Sequence, residues 1–418
     1  MSILELKIKS RRANFSLAHV SGIVVLIIAN VAYADEQDVV NFNLSHAVTY
    51  EDNLFRLDSN ESPLSNFGKS QKWDIINATT YGVSVNKPYS LQRFKFDISQ
   101  TSYRYQNYNF LNFDGINYDI QWNWALTPYL KGNLKFDRKE LPNTFSDIGN
   151  INRLSTNTRT IKNNRFDIDW SAYHNWHLIG ALAELTVSID NASNNDQNLD
   201  FSFTQTSGIA GVRYEFSSGS SIDYMVTHTN GQYQDSFFSE ALLRDKGYEE
   251  KRNDISLKWL LTGKSTVNAK IGYLKRENDN FSQRNVDGFV GNIDYDWDVT
   301  GKTRLTFALS SNLYPVQSST DSYIRDNTFA IRPIWAVTPK VAVKGNVAFR
   351  KRIFEGSGPA ISLVEREDKI RTTSVSLDWM PRRYLTLEMM LKRESRDTNI
   401  ADFDYVSNSA MVNALITF

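Results

Sequence analysis

The sequence predicts an all-β chain: a transmembrane, antiparallel, up-and-down β-barrel of about 18 strands, with 16 as the alternative. Three observations predict it. Apolar and polar residues alternate in segment after segment, with full charges on the polar side. Short turns alternate with longer polar connections, as periplasmic turns and external loops do in outer-membrane barrels. Aromatic residues, 13% of the chain, gather at the ends of the alternating segments, where a membrane interface would hold them.

The alternation is plain in individual stretches. Ile116, Tyr118, Ile120, Trp122 and Trp124 alternate with Asn117, Asp119, Gln121 and Asn123, and Phe166, Ile168 and Trp170 with Asp167 and Asp169. Side chains two apart share a face of an extended strand, so each stretch has one apolar and one ionic face. A soluble β-helix or propeller would bury the apolar face and needs a closing motif. A barrel turns that face to lipid and the charged one to water. Short reversals fall near 86–90, 126–129, 174–176, 217–220, 261–264, 300–302, 337–340 and 380–383. Longer connections fall near 57–71, 108–113, 140–160, 191–202, 235–250, 278–285, 315–322, 355–368 and 397–402. This pattern sets both chain ends on the short-turn side.

One phrase marks four of the reversals. It reads Trp-x-(Leu/Val)-Thr-(Pro/Gly), starting at Trp124, Trp259, Trp297 and Trp335, and a degenerate copy starts at Trp379. Pro and Gly supply turn dihedrals, so each phrase reads as a strand end entering a tight turn. Trp124, Trp259, Trp297, Trp335 and Trp379 are therefore the expected girdle at one membrane interface.

The first 34 residues read as a secretory signal peptide and residues 35–418 as the barrel. Lys7, Lys9, Arg11 and Arg12 precede an apolar run from Ile23 to Ala29, and Ala32-Tyr33-Ala34 precedes Asp35 as a small-x-small cleavage site. Removing this segment takes away four basic residues and one acidic residue, which leaves a net charge of −3. That balance gives no electrostatic case for nucleic acid. The chain has no cysteine, which excludes disulfides and thiolate metal sites. Expected partners are outer-membrane lipid and the barrel assembly machinery. Phe418 ends the last strand and resembles the terminal aromatic that this machinery reads.

No residue set suggests catalysis, a cofactor or a metal. His174 and His177 lie on a turn and read as interfacial polar residues. Ser217, Ser218, Ser220 and Ser221 surround Gly219 and read as a turn, without the Gly-x-Ser-x-Gly elbow of a hydrolase. Asp294, Asp296 and Asp298 alternate with Tyr295 and Trp297, which is a strand face and not a calcium loop. The lumen is the better candidate. Its lining is expected to include Lys95, Asp97, Asp119, Lys135, Asp137, Asp167, Asp169, Arg213, Glu215, Lys258, Asp294, Asp296, Arg332, Lys344, Arg350 and Glu388. Tyr103, Tyr105 and Tyr108 break the outward parity of Phe94, Phe96 and Ile98. A bulge that returns them to an upper girdle is the preferred reading, and inward rings that stack on a glycan are the other.

Several stretches resemble the EpsL-like, exosortase-B-associated outer-membrane barrels of exopolysaccharide operons. They are Val48-Thr-Tyr-Glu-Asp-Asn-Leu-Phe-Arg56, Asn86-Lys-Pro-Tyr-Ser-Leu-Gln-Arg-Phe-Lys-Phe96, Tyr103-Arg-Tyr-Gln-Asn-Tyr108 with Leu111-Asn-Phe113, and Leu261-Thr-Gly-Lys-Ser-Thr266. The resemblance implies an outer-membrane pore that guides a hydrated polysaccharide, with periplasmic or inner-membrane export proteins as partners. The alternative is a general or sugar-selective diffusion porin, and a third reading is a plugged barrel that acts as a scaffold.

Overall fold

A computed structural model describes residues 39–143, 145, 156–191, 202–234, 240, 243, 245–316, 321–356, 364–400 and 403–418. The expected signal peptide and its cleavage point lie outside the described residues. Eighteen strands follow one another: β1 (Val40–Glu51), β2 (Asp74–Tyr89), β3 (Gln92–Tyr105), β4 (Phe113–Thr127), β5 (Leu130–Pro142), β6 (Asn157–Tyr173), β7 (Trp176–Asn191), β8 (Phe203–Glu215) and β9 (Ser221–Tyr233) form the first half. The second half is β10 (Gly247–Thr262), β11 (Ser265–Asn278), β12 (Val286–Thr300), β13 (Thr303–Pro315), β14 (Tyr323–Thr338), β15 (Val341–Glu355), β16 (Glu367–Arg382), β17 (Leu385–Thr398) and β18 (Tyr405–Thr417). One short helix, α1 (Leu64–Phe67), sits in the β1–β2 connection.

Each strand pairs antiparallel with its sequence neighbours, and β1 pairs with both β2 and β18, so the sheet closes. Closure removes the edges that would otherwise leave backbone groups unpaired in lipid. The seam is finished by a reciprocal backbone pair in which the Phe42 N–H donates to Phe418 O (2.5 Å) and the Phe418 N–H to Phe42 O (2.9 Å). The two connections that could have reduced the count to sixteen are both genuine reversals. Asn109–Leu111 form a 3-10 turn between β3 and β4, and His174 takes a left-handed φ of 46° between β6 and β7.

The outer face is apolar. Phe289, Leu182 and Leu391 are 70%, 66% and 61% exposed, which for a large apolar side chain in a closed sheet means contact with lipid. Four of the five phrase tryptophans, Trp259, Trp297, Trp335 and Trp379, are exposed on this face. Trp124 differs from the expected girdle. It is only 8% exposed because its indole lies across Gly132 and stacks on Phe166 at 5.8 Å. A side chain at 132 would collide with that ring, so glycine opens the space and the tryptophan fills it. Tyr89, Tyr129, Tyr173, Trp176 and Tyr384, all exposed at the short-turn rim, widen the aromatic belt.

The phrase has a structural purpose beyond its tryptophan. In each copy the threonine hydroxyl accepts from the turn backbone: Lys264 N to Thr262 Oγ1 and Lys302 N to Thr300 Oγ1 at 3.1 Å, and Lys340 N to Thr338 Oγ1 at 3.2 Å. The turn lysine's carbonyl then accepts from the residue after the next copy's tryptophan: Asp298 N to Lys264 O, Ala336 N to Lys302 O and Met380 N to Lys340 O. Successive turns are thus stitched to one another around the rim. Replacing Thr262, Thr300 and Thr338 together by Val removes three hydrogen bonds of about 1 kcal/mol each. Reversible urea unfolding from lipid vesicles should show a loss of roughly 3 kcal/mol; an unchanged midpoint and slope would rule out a stabilising role for these caps.

Candidate functional site

Strand register places the charged residues. Asp97 lies opposite Asp119 and Asp119 opposite Asp137, while Lys95 lies opposite Gln121 and Gln121 opposite Lys135. All share the face turned away from Phe94, Phe96, Ile120, Leu134 and Phe136. Asp167 and Asp169 face Ala181 and Ile179. Arg213 faces His177 and Asp223, with Glu215 two residues further along the same side. Lys258 lies opposite Asn268 and Asn268 opposite Asp294; Asp296 lies opposite Thr306 and Thr306 opposite Arg332. Lys344, Arg350 and Glu388 lie opposite Ser376, Ile370 and Asp378. Every one of the sixteen falls on the inner face.

Many of these charges are bound to one another. Lys135 bridges Asp119 (3.2 Å) and Asp137 (3.1 Å), and Arg213 bridges Asp169 (3.1 Å) and Asp223 (2.8 Å). Lys344 pairs with Asp378, and Arg350 with Asp326. Asp254 is almost wholly buried between Arg252 (2.7 Å) and Lys270 (3.2 Å), in space that a side chain at Gly272 would occupy.

His177 also belongs to the lumen and not to the turn. It is buried on the inner face, with Nδ1 at 2.6 Å from Asp169 and 3.2 Å from Ser171 Oγ, while His174 meets the Tyr173 ring edge-on in the turn. One lane of the inner face is apolar: Ile179, Ala181, Ala183, Leu185 and Val187 of β7 all turn inward. The near-continuous apolar run from Leu178 to Leu185 was the available signal, since both faces of that strand are apolar.

The long-connection end holds the densest packing. β3 pairs with β2 and β4 without a bulge, so Tyr103 and Tyr105 turn into the barrel. The preferred expectation of a bulge and an upper girdle is therefore corrected: the inward parity is real. Tyr105 and Tyr108 do not, however, present free rings for a sugar. They are buried with Leu54, Phe55, Phe67, Leu111 and Phe145 in one hydrophobic cluster, against which Ile76 and Tyr103 also pack. Phe55 lies at its centre, 4.4 Å from Phe67, 4.7 Å from Tyr108 and 5.0 Å from Phe145 between ring centroids. Tyr103 stacks on Phe113 at 4.7 Å.

The β1–β2 connection is thus folded onto the inner wall and not out into solvent, and polar contacts latch it there. Arg56 reaches Glu51 (3.1 Å) and Glu394 (3.5 Å), and Ser407 donates to Glu51. Asn53 donates to Val406 O and Leu57 O at 3.0 and 2.8 Å. Asp74, fully buried, accepts from the backbone N–H groups of Gln106, Asn107 and Tyr108 and fixes the β3–β4 connection. Tyr108 donates to Gln71 O, and burial followed by the Asp74 carboxylate pushes its phenol above the usual range. Non-periodic loop aromatics gave no signal of this cluster in the sequence.

A closed barrel with a charged lumen and an inward-packed mouth is a porin's architecture, and the comparisons agree. A family model described as "Putative beta-barrel porin 2" matches residues 183–418, more than half of the chain. The chain belongs to this porin family. Porins are channels and not enzymes, and the fold places the protein in the outer membrane. No curated protein matches the sequence. Among solved structures, Pseudomonas aeruginosa OccK1 (OpdK) is similar over 92% of this chain and 100% of its own, with 12% identity and a TM-score of 0.50. P. aeruginosa OpdK with vanillate shares 13% identity, and P. aeruginosa OccK2 (OpdF) 10%, with the same coverages and TM-score. At these identities the likeness establishes the shared fold.

Proposed function

We propose that this barrel is a passive diffusion porin for small charged or hydroxyl-rich solutes. The inner face carries the argument, since it combines both signs of charge with an apolar lane in an eighteen-strand lumen, wide enough for an aqueous channel. The packed β1–β2 connection narrows that path, which suits small solutes better than an extended polymer. In planar bilayers the purified protein should give steady conductance, and vesicles containing it should swell in small sugars but not in long oligosaccharides. Absence of conductance at any voltage would overturn the porin reading in favour of a plugged scaffold.

A second reading follows from the resemblance to EpsL-like barrels. Two of the phrases that carry it, Val48 to Arg56 and Tyr103 to Tyr108, supply Glu51, Asn53, Phe55, Arg56, Tyr105 and Tyr108, which meet in the mouth. A role in exopolysaccharide export would use that mouth as a gate for a glycan delivered by periplasmic or inner-membrane partners. Deleting the gene would then abolish surface polysaccharide while small-solute uptake persists. Normal surface polysaccharide in the deletion strain would exclude this role.

A further inference from the structure

The lipid-facing wall carries a feature that transport does not use. Across β11–β16 the outer face holds a groove of about 940 Å³ lined by Ile271, Phe289, Ile293, Leu309, Phe329 and Phe349. It exists because Gly291, Ser311 and Asn327 follow one another across three paired strands and leave a row with little side-chain volume. Its upper end is closed by Lys351, Lys369 and Arg371. A second groove, of about 440 Å³, crosses β16–β18 and includes Val375, Leu391, Ala410 and Tyr50, with Arg393 at its edge.

These cations stand on the outer face. Lys351 lies opposite Lys369, and Arg371 opposite Phe349 and Ser395. Lys369 is ten residues from the girdle residue Trp379 on the same strand, and ten tilted residues span about 25 Å, the height of a barrel's apolar band. The cations therefore lie at the interface opposite the tryptophans, on the external side. On β14–β17 five outward cations, Arg325, Lys351, Lys369, Arg371 and Arg393, face three outward carboxylates, Glu355, Glu367 and Asp397. Glu367 is shared between Lys351 (2.8 Å) and Lys369 (3.4 Å). The far wall is balanced, with Arg104 on Asp114 and Arg138 on Glu140.

We propose that this wall binds a phosphate-bearing, multiply acylated glycolipid of the external leaflet, its acyl chains in the two grooves and its phosphates on Lys351, Lys369, Arg371 and Arg393. Charge complementarity at membrane depth, joined to grooves open to the bilayer, selects a lipid over a soluble anion. This site stands apart from the transport reading and requires only the outer-membrane barrel.

Native mass spectrometry of the detergent-solubilised full chain, with lipid A as probe, tests it. Wild type should retain a lipid A adduct and should not retain dephosphorylated lipid A. The variant K351Q/K369Q/R371Q should bind roughly a hundredfold more weakly, about fivefold for each cation lost. R104Q/R138Q, on the balanced wall, should bind as wild type does. Heat-modified electrophoretic mobility checks that each variant is folded. Equal retention of the dephosphorylated lipid or of phosphatidylglycerol, or equal loss in both variants, would overturn the proposal.

Discussion

Phe55→Ala should open the mouth of the barrel and raise its single-channel conductance. Phe55 is 2% exposed and touches Phe67, Tyr108 and Phe145, so it joins the β1–β2 connection to the β3–β4 and β5–β6 connections. Truncating such a ring costs about 3–5 kcal/mol, or roughly two to nearly four powers of ten in the ratio of docked to undocked loop. The strands do not share this loss. Their backbone ladders close without the connection, and β1 still pairs with β2 and β18. Conductance in planar bilayers should therefore rise while the heat-modified mobility of the barrel stays near wild type. The double variant with Phe67→Ala should add little, because the two rings form one contact. Wild-type conductance in both variants would mean that the connection does not limit the path.

The latch makes the same prediction from the polar side. Arg56 holds Glu51 and Glu394 together, so its loss leaves two partly buried carboxylates facing each other. That effect is smaller than removal of the aromatic centre, because water at the mouth can screen the carboxylates.

Where a periodic signal existed, the sequence was a good guide. A side-chain period of two assigns a face to every strand residue, and a slip of one would invert the whole strand, so register leaves a strong imprint. That is why Lys95, Asp97, Asp294 and Asp296 fall on the inner side as their alternation required. The same logic held an open question at Tyr103 and Tyr105. Their parity pointed inward, and the preference for interfacial tyrosines pointed outward; unbroken pairing of β3 decided for parity. Trp124 shows the opposite weakness. Its parity was right, but what buries it is the absence of a side chain at Gly132, on a neighbouring strand and eight residues away. The mouth cluster was illegible for a different reason. Leu54, Phe55, Phe67 and Tyr108 lie in connections with no period, and only the chain's closure brings them together. The threonine of the repeated phrase was visible four times, yet its hydroxyl bond to the turn backbone follows from turn geometry and not from facing.

Asp254→Asn should shift the channel toward anions. Asp254 neutralises Arg252 and Lys270 on the inner face. The substitution keeps the side chain's shape beside Gly272 but removes one negative charge from the inner wall. A unit charge about 7 Å from a passing ion in water is worth roughly 0.6 kcal/mol, about one RT, so local anion concentration should rise about threefold. Reversal potentials in a potassium chloride gradient should move in the direction that marks chloride preference, and the shift should shrink as salt is raised, because screening shortens the reach of the exposed cations. The lost charge-assisted bonds should also lower stability by about 1.5–3 kcal/mol. Arg252→Gln in the same background should restore the wild-type reversal potential, since it removes one of the two positive charges that Asp254 neutralises. If Asp254→Asn leaves ion preference unchanged while the barrel conducts, passing ions do not sense this group, and Arg252, Asp254 and Lys270 are a strut of the wall and not a filter.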